Sequence, residues 1–327
     1  MIRKADRDRV MNQKYSLRPY CQISVNPVGL TFLILESKTE EGMIMNDKFT
    51  TASFLESKKQ GRKITMLTAY DYPTAKILDE AGVDSILVGD SLGMVVLGYE
   101  DTTRVTMDDM VHHTKAVVRG VKRAMVVADM PFLSYHTGKN DSVRNAGRLV
   151  SEGGCKAVKL EGGEDIIENV KAIISAGIPV VGHLGYTPQS INVFGGHKAQ
   201  GKTIDTAKKI YRDALLLQKA GVFAVVLECV PYKLAAFISK RLDIPTIGIG
   251  SGPDCDGQVL VIHDLTGMFK DFTPKHVKKY AEIGETVSTA VKSYIDEVKN
   301  GVFPTEKNSF KVDDWIIDEL DKVRFDI

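Results

Sequence analysis

Short apolar runs rich in β-branched residues recur along the chain from residue 64, and each is followed by a segment whose apolar residues return every three or four positions. The runs are ITMLTAY (64–70), SILVGD (85–90), MVVADM (125–130), AVKLEG (157–162), PVVGHLG (179–185), AVVLECV (224–230), PTIGIG (245–250) and QVLVIHD (258–264). Runs this apolar belong to strands covered on both faces, and parallel neighbours need a helical crossover between them. The pattern predicts an α/β fold, a closed (β/α)8 TIM barrel in preference to a doubly wound open sheet.

The segments between the runs carry helix start and stop signals. TMDDMVHHTKAVVRG opens on Thr106 as an N-cap, has Asp108 and Asp109 in its first turn and ends on Gly120. EDIIENVKAIISAG stops at Gly177 before Pro179, and TIDTAKKIYRDALLLQKAG stops at Gly221. A last helical region is predicted over 273–301, followed by a polar tail over 302–327.

Residues 1–44 do not share this rhythm. Arg3, Lys4, Arg7, Arg9, Lys14 and Arg18 precede VGLTFLIL (28–35), but Asp6 and Asp8 are out of place in a transit peptide, and ESKTEEG offers no small-residue cleavage site. The segment reads as a non-core N-terminal extension, with a start at Met43 or Met45 as the alternative. The expected organisation is therefore extension 1–44, catalytic barrel 45–301 and tail 302–327.

Charge narrows the function classes. Lys plus Arg number 43 and Asp plus Glu 42, a formal net charge of +1, which gives no basic footprint for nucleic acid and no acidic tail; the expected partners are small-molecule substrates. Cys21, Cys155, Cys229 and Cys255 are widely spaced and contain no C-x-x-C, so they suit neither a disulfide framework nor a thiolate zinc site, and a reducing cytoplasm is the expected compartment. No apolar run approaches the ~20 residues of a membrane span.

In α/β barrels the chemistry collects where strands meet the loops that follow them. Asp90, Asp129, Glu161, His183 and Glu228 all stand there. A single Asp or His after a strand is usually a turn residue or a hydrogen-bonded core group; five in the same relative place describe a site. Clustered carboxylates repel unless a cation lies among them, and an oxygen-only donor set favours Mg²⁺. Asp90, Asp129 and Glu161 are thus the expected metal environment, binding directly or through water.

Alternation along AVKLEG puts Lys159 and Glu161 on one face and Leu160 on the other. A buried pair of this kind adds little stability, whereas a lysine beside a metal suits an anionic 2-oxo acid, whose ketone and carboxylate oxygens can chelate the ion. Glu228, farther round the barrel, is then free to act as a base on the carbon next to the ketone.

Other motifs carry less. GIGSG (248–252) lacks G-x-G-x-x-G spacing and a following helix, so it reads as a turn at the barrel mouth. DCDG (254–257) lacks the acidic twelfth position of a calcium loop. His112 and His113 read as a solvated pair on a helix.

Several stretches together resemble one family: TAYDYPTA (68–75), GDSLGMVVLGYEDT (89–102), ADMPF (128–132), VKLEGG (158–163), GHLGYTPQS (182–190), FGGHKAQGK (194–202), LECVP (227–231), GIGSG and DGQVLVIHD (256–264). In order, and from about residue 46 to about residue 300, they resemble ketopantoate hydroxymethyltransferases. The resemblance implies a barrel of the phosphoenolpyruvate/pyruvate type, usually a homodecamer. It implies transfer of a hydroxymethyl group from 5,10-methylenetetrahydrofolate to 3-methyl-2-oxobutanoate, through a Mg²⁺-stabilised enolate, giving 2-dehydropantoate for pantothenate synthesis. By motif, Asp90 and Ser91 match a substrate-binding pair, with Asp90 also a metal ligand. Asp129 matches a residue touching metal and substrate, Lys159 a substrate contact, Glu161 a metal ligand and Glu228 the proton acceptor. His183 matches a histidine that orients substrate or folate. Ser251 departs from a frequent alanine, and His197 occupies a variable position. A lyase or mutase of the same barrel superfamily would carry a KKCGH-like loop, which is absent from the sequence. A barrel that only binds a ligand would have no need of the full set of acid, base and lysine groups.

Overall fold

The computed structural model describes residues 48–196, 199–269 and 273–324. The expectations for residues 1–44 and for His197 lie outside the described residues. Eight strands form the barrel: β1 (Ile64–Thr68), β2 (Ser85–Val88), β3 (Met125–Asp129), β4 (Ala157–Glu161), β5 (Val180–Gly185), β6 (Ala224–Glu228), β7 (Thr246–Ile249) and β8 (Gly257–Leu260). They pair in chain order, and β8 closes on β1 in parallel. The expected TIM barrel is the observed fold.

The helix signals act where they were read. Thr106 and Asp109 exchange side-chain and backbone hydrogen bonds at the start of the helix Met107–Gly120, satisfying N–H groups that have no partner in the first turn. Thr203 and Thr206 do the same for Ile204–Ala220, which ends on Gly221 at φ 100°, a left-handed conformation that glycine adopts without steric cost.

Four expectations are corrected. The eighth run is a strand only as far as Leu260, and His263 and Asp264 belong to a short helix, Ile262–Leu265. The Ile262 N–H donates to Thr68 Oγ1 at 3.0 Å, so the chain turns there instead of extending the ladder. The final helix begins at Ile283, not near 273, and runs to Lys299. Before it, the Tyr280 N–H is taken by the Leu265 carbonyl and the Ile283 N–H by that of Thr266, which ties this backbone to the end of the barrel. The polar tail contains the helix Asp314–Leu320. His113 is half-buried with Nδ1 2.7 Å from the Tyr70 carbonyl, so only His112 of that pair is solvated.

Two apolar clusters divide the strands' faces. Val126, Ala128, Val158, Leu160, Leu184, Val225 and Leu227 pack outward among the helices. Met125, Val127, Ala157, Val181, Ala224, Val226 and Ile247 point into the barrel with Phe49, Phe54 and Phe223. Phe54, on the helix Thr51–Lys59, is fully buried and meets Phe49 and Phe223 edge-on, both with centroids 5.2 Å apart. Phe223 immediately precedes β6, and the Phe49 N–H donates to the Arg123 carbonyl just before β3, so these rings close the barrel at the N-terminal ends of its strands. No helix among the described residues is long and apolar enough to cross a membrane.

Truncating a buried aromatic loses its transfer energy and leaves a cavity. Phe54→Ala is expected to cost about 3–5 kcal/mol, read as a lower midpoint with an unchanged slope in urea unfolding.

Candidate active site

The inward face of each strand changes character along its length. On β3, Met125 and Val127 line the interior and Asp129 follows; on β4, Ala157 is followed by Lys159 and Glu161; on β5, Val181 by His183; on β6, Ala224 and Val226 by Glu228. Pairing then brings these groups together. Asp129 is in register with Lys159, and Glu161 with His183. Charged residues therefore fill the barrel above an apolar floor, at the C-terminal ends of the strands.

Lys159 is 4% exposed, and its Nζ lies 2.8 Å from Asp129 Oδ1 and 3.8 Å from Glu161 Oε1. Its closer partner is Asp129, across the strand pair, not the Glu161 that shares its strand face. Nζ is also 3.2 Å from His183 Nδ1. His183 spans two carboxylates, with Nδ1 3.2 Å from Glu161 Oε1 and Nε2 3.3 Å from Glu228 Oε2. Burial and the Lys159 ammonium push the imidazole pKa down, but Glu161 and Glu228 outweigh them and hold it up at about 9. Imidazolium is the form that lets both ring nitrogens face an acceptor. Glu228 is the more accessible group, its side chain 17% exposed against 3% for Glu161.

Asp90 follows β2 and is buried. Its backbone N–H donates to Asp129 Oδ2 at 3.1 Å. Burial, then the charges of Asp129 and Glu161, drive its carboxyl pKa well up. Asp129 is raised by burial, with Lys159 opposing. In Glu161 burial is overcome by His183, Lys159 and the Gln189 N–H, so its pKa falls. Ser91 stands at the edge of the cluster with Oγ 2.8 Å from the Tyr70 hydroxyl.

Two residues that the sequence did not single out complete the network. Gln189 Nε2 donates to Asp90 Oδ2 at 2.8 Å and to the Met130 carbonyl at 2.9 Å, while its backbone N–H donates to Glu161 Oε2 at 3.0 Å. The Tyr135 hydroxyl lies 2.7 Å from Gln189 Oε1. Gln189 sits inside GHLGYTPQS, but a neutral amide in a loop carries no charge or spacing signal.

The turn after Glu228 is held from several sides. Cys229 has φ 52°, an uncommon conformation for a residue with a side chain. Its N–H donates to the Ile249 carbonyl at 2.9 Å, and the Glu228 carbonyl accepts from Tyr186 at 2.8 Å. Ser251 Oγ donates to the Leu227 carbonyl at 2.7 Å and accepts from the Val230 N–H at 3.1 Å. A Cβ on Gly185, at φ 98°, would lie 2.2 Å from the Glu228 carbonyl oxygen. GIGSG begins in β7 and its last three residues, Gly250 to Gly252, make the expected turn at the barrel mouth, where Ser251 bonds to the segment that carries Glu228.

Among the described residues no three His, Cys, Asp or Glu side chains stand in a metal-holding arrangement; Lys159 stands between Asp129 and Glu161. The donor chemistry nonetheless fits a hard cation. Asp129 Oδ1 and Glu161 Oε1 are shut off from solvent without a well-formed hydrogen bond, and all three carboxylates offer oxygen alone.

A family model described as ketopantoate hydroxymethyltransferase matches residues 48–306. The chain belongs to this family. A relative from Clostridium novyi, 3-methyl-2-oxobutanoate hydroxymethyltransferase, is 58% identical over 273 residues, 84% of this chain and 99% of the relative. One of the same name from Enterococcus faecalis is 59% identical over the same shares of each chain. Among solved structures, 2,3-dimethylmalate lyase, a PEP mutase/isocitrate lyase superfamily member, has a TM-score of 0.51 at 12% identity, covering 84% of this chain and 99% of that one. That similarity is one of fold, and it agrees with the expected barrel type. Within the ketopantoate hydroxymethyltransferase match lie all the residues of the charged cluster.

Removing the ammonium would leave buried carboxylates uncompensated. Lys159→Met in chelator is expected to lose about 3–5 kcal/mol at neutral to alkaline pH. Asp129, already raised, would rise further. A group whose folded pKa exceeds its unfolded value stabilises the fold below the unfolded pKa and loses that contribution as pH rises through the folded one. The deficit should therefore shrink on acidification, measured by urea unfolding across pH.

Proposed function

We propose that this chain transfers a hydroxymethyl group from 5,10-methylenetetrahydrofolate, as co-substrate, to 3-methyl-2-oxobutanoate, giving 2-dehydropantoate for pantothenate synthesis. The observation that carries the reading is the buried Lys159 ringed by Asp129, Glu161 and His183, with the more accessible Glu228 beside it. Agreement with relatives of that name over nearly their whole length supports it.

Asp90, Asp129 and Glu161 would hold Mg²⁺, which when bound supplies Lewis-acid polarisation of the substrate ketone. Lys159 neutralises the acid's negative charge. Asp90, Ser91 and Asp129 contact the substrate and fix its orientation. The Glu228 carboxylate takes the proton from C3, and the electron pair left behind forms the new carbon–carbon bond to the one-carbon unit; both carbon–nitrogen bonds of that unit break, the two folate nitrogens take up protons, and water supplies the hydroxyl. His183, facing Glu228, orients that carboxylate together with the bound reactants.

The reading extends to organisation and assembly. Residues 45–301 would be the catalytic barrel, residues 302–327 a tail and residues 1–44 a non-core extension; the family match begins only at residue 48. The free cysteines Cys155, Cys229 and Cys255 suit the cytoplasm. A homodecamer is what the family resemblance implies, and the helix Ile283–Lys299, which buries no residue and exposes Val287, Val291, Tyr294, Ile295 and Val298, offers an apolar face for contact between subunits. Sedimentation velocity is expected to give a species of about ten subunits; a monomer would reject the assembly.

The chemistry is tested by deuterium exchange at C3 of 3-methyl-2-oxobutanoate in the presence of Mg²⁺, with and without folate. Glu228→Gln is expected to bind metal and substrate yet lose exchange by roughly 10²–10⁴-fold, while Asp129→Asn weakens both. Normal exchange by Glu228→Gln would remove Glu228 as the base, and no exchange by the native chain would reject the enolate route.

A further inference from the structure

We propose that Gln189 is a positioning residue that fixes the carboxylates of Asp90 and Glu161 for a divalent cation. This rests on the cation reading given above.

The orientation of the amide is determined by its neighbours. Nε2 faces Asp90 Oδ2 at 2.8 Å and the Met130 carbonyl oxygen at 2.9 Å. A flipped amide would set Oε1 against both, and a carbonyl oxygen has no hydrogen to give. With Nε2 so placed, Oε1 meets the Tyr135 hydroxyl at 2.7 Å and is the nearer acceptor for its one hydrogen, the Glu161 carbonyl lying at 3.1 Å. The hydroxyl oxygen then accepts from the Glu161 backbone N–H at 3.2 Å. Three of the amide's four hydrogen-bonding positions are used, in a side chain 5% exposed.

A second observation points the same way. Each of the three carboxylates has one oxygen held by a neutral N–H. For Asp129 Oδ2 it is the backbone of Asp90; for Asp90 Oδ2 and Glu161 Oε2 it is Gln189, through its side chain and its main chain. Held in this way, Asp129 and Glu161 turn their other oxygens, Oδ1 and Oε1, towards the Lys159 ammonium. One residue thus sets two of the three carboxylates. It does so from the short turn Pro188–Ser190 directly after β5, a strand already fixed by its register with β4 and β6. A neutral donor suits the task, because it orients a carboxylate without competing for the site as a cation.

Outer partners of metal-binding carboxylates typically contribute about 10–100-fold in metal affinity. The probe is Mn²⁺ alone, titrated calorimetrically into native protein, Gln189→Glu, Gln189→Leu and Tyr135→Phe, with the melting temperature in chelator measured alongside. Gln189→Glu keeps the size and the main-chain bond to Glu161 but replaces the two side-chain N–H donors, and is expected to weaken Mn²⁺ binding about 10–100-fold through Asp90. Gln189→Leu should do the same. Tyr135→Phe should weaken it less. Affinities within about twofold of the native protein in both Gln189 variants would overturn the proposal. So would a lower melting temperature with unchanged affinity, the mark of a purely structural role. If the native protein itself fails to bind Mn²⁺, the cation reading falls and this proposal with it, an outcome distinct from native binding that the variants share.

Discussion

The ion pair between Lys159 and Asp129, with Glu161 and His183 against it, is the interaction that the rest of the structure has to accommodate. Each of these groups would forfeit hydration on burial, and an unpartnered charge in such a place would simply change its protonation state. The cluster persists because parallel register sets Asp129 beside Lys159 and Glu161 beside His183. A slip of one residue on β4 would turn Lys159 and Glu161 out among Val158's neighbours and bring Leu160 inside. Register is therefore specified from both ends, by apolar packing below and by charge above.

The loops add a second level of control, made largely of neutral groups. Gln189, Tyr135 and Ser251 carry no net charge, yet they decide which oxygen of a carboxylate or carbonyl is occupied. The strain at Cys229, on the order of 1–3 kcal/mol for such a conformation, is held in place by backbone bonds to β7 and by the contacts around Glu228. The buried groups are thus rigidly placed, and the accessible one is attached to a turn fixed by several neighbours.

Much of the fold was legible because it is written in short-range patterns. Strand runs, the caps at Thr106 and Thr203 and the stop at Gly221 depend on residues a few positions apart. The predicted site residues share a strand-end position, so periodicity located them. Register is set by contacts between neighbouring strands far apart in the chain, so the sequence paired Lys159 with Glu161 when its nearer partner is Asp129. QVLVIHD looks like a strand to its end, and only the Thr68 hydroxyl at the end of the neighbouring β1 shows why it turns. The start of the last helix was missed for a similar reason, since Tyr280 and Ile283 bond to residues near the end of β8. Gln189 is a matter of chemistry: an uncharged side chain in a loop gives no signal until its neighbours are known.

Among the described residues, Phe49, Phe54 and Phe223 plug the barrel at the N-terminal ends of its strands, which leaves the opposite end as the way in. Anything that reaches Lys159 arrives through the loops beyond the strands and departs by the same route. A reactant seated at that depth is shut in by whatever lies above it, so traffic is last in, first out. On the reaction proposed above, the small acid would enter ahead of its bulkier partner, and the spent carrier would clear the mouth before the product. On that reading, three packed phenylalanines far from the reacting carbon impose an order of events upon it.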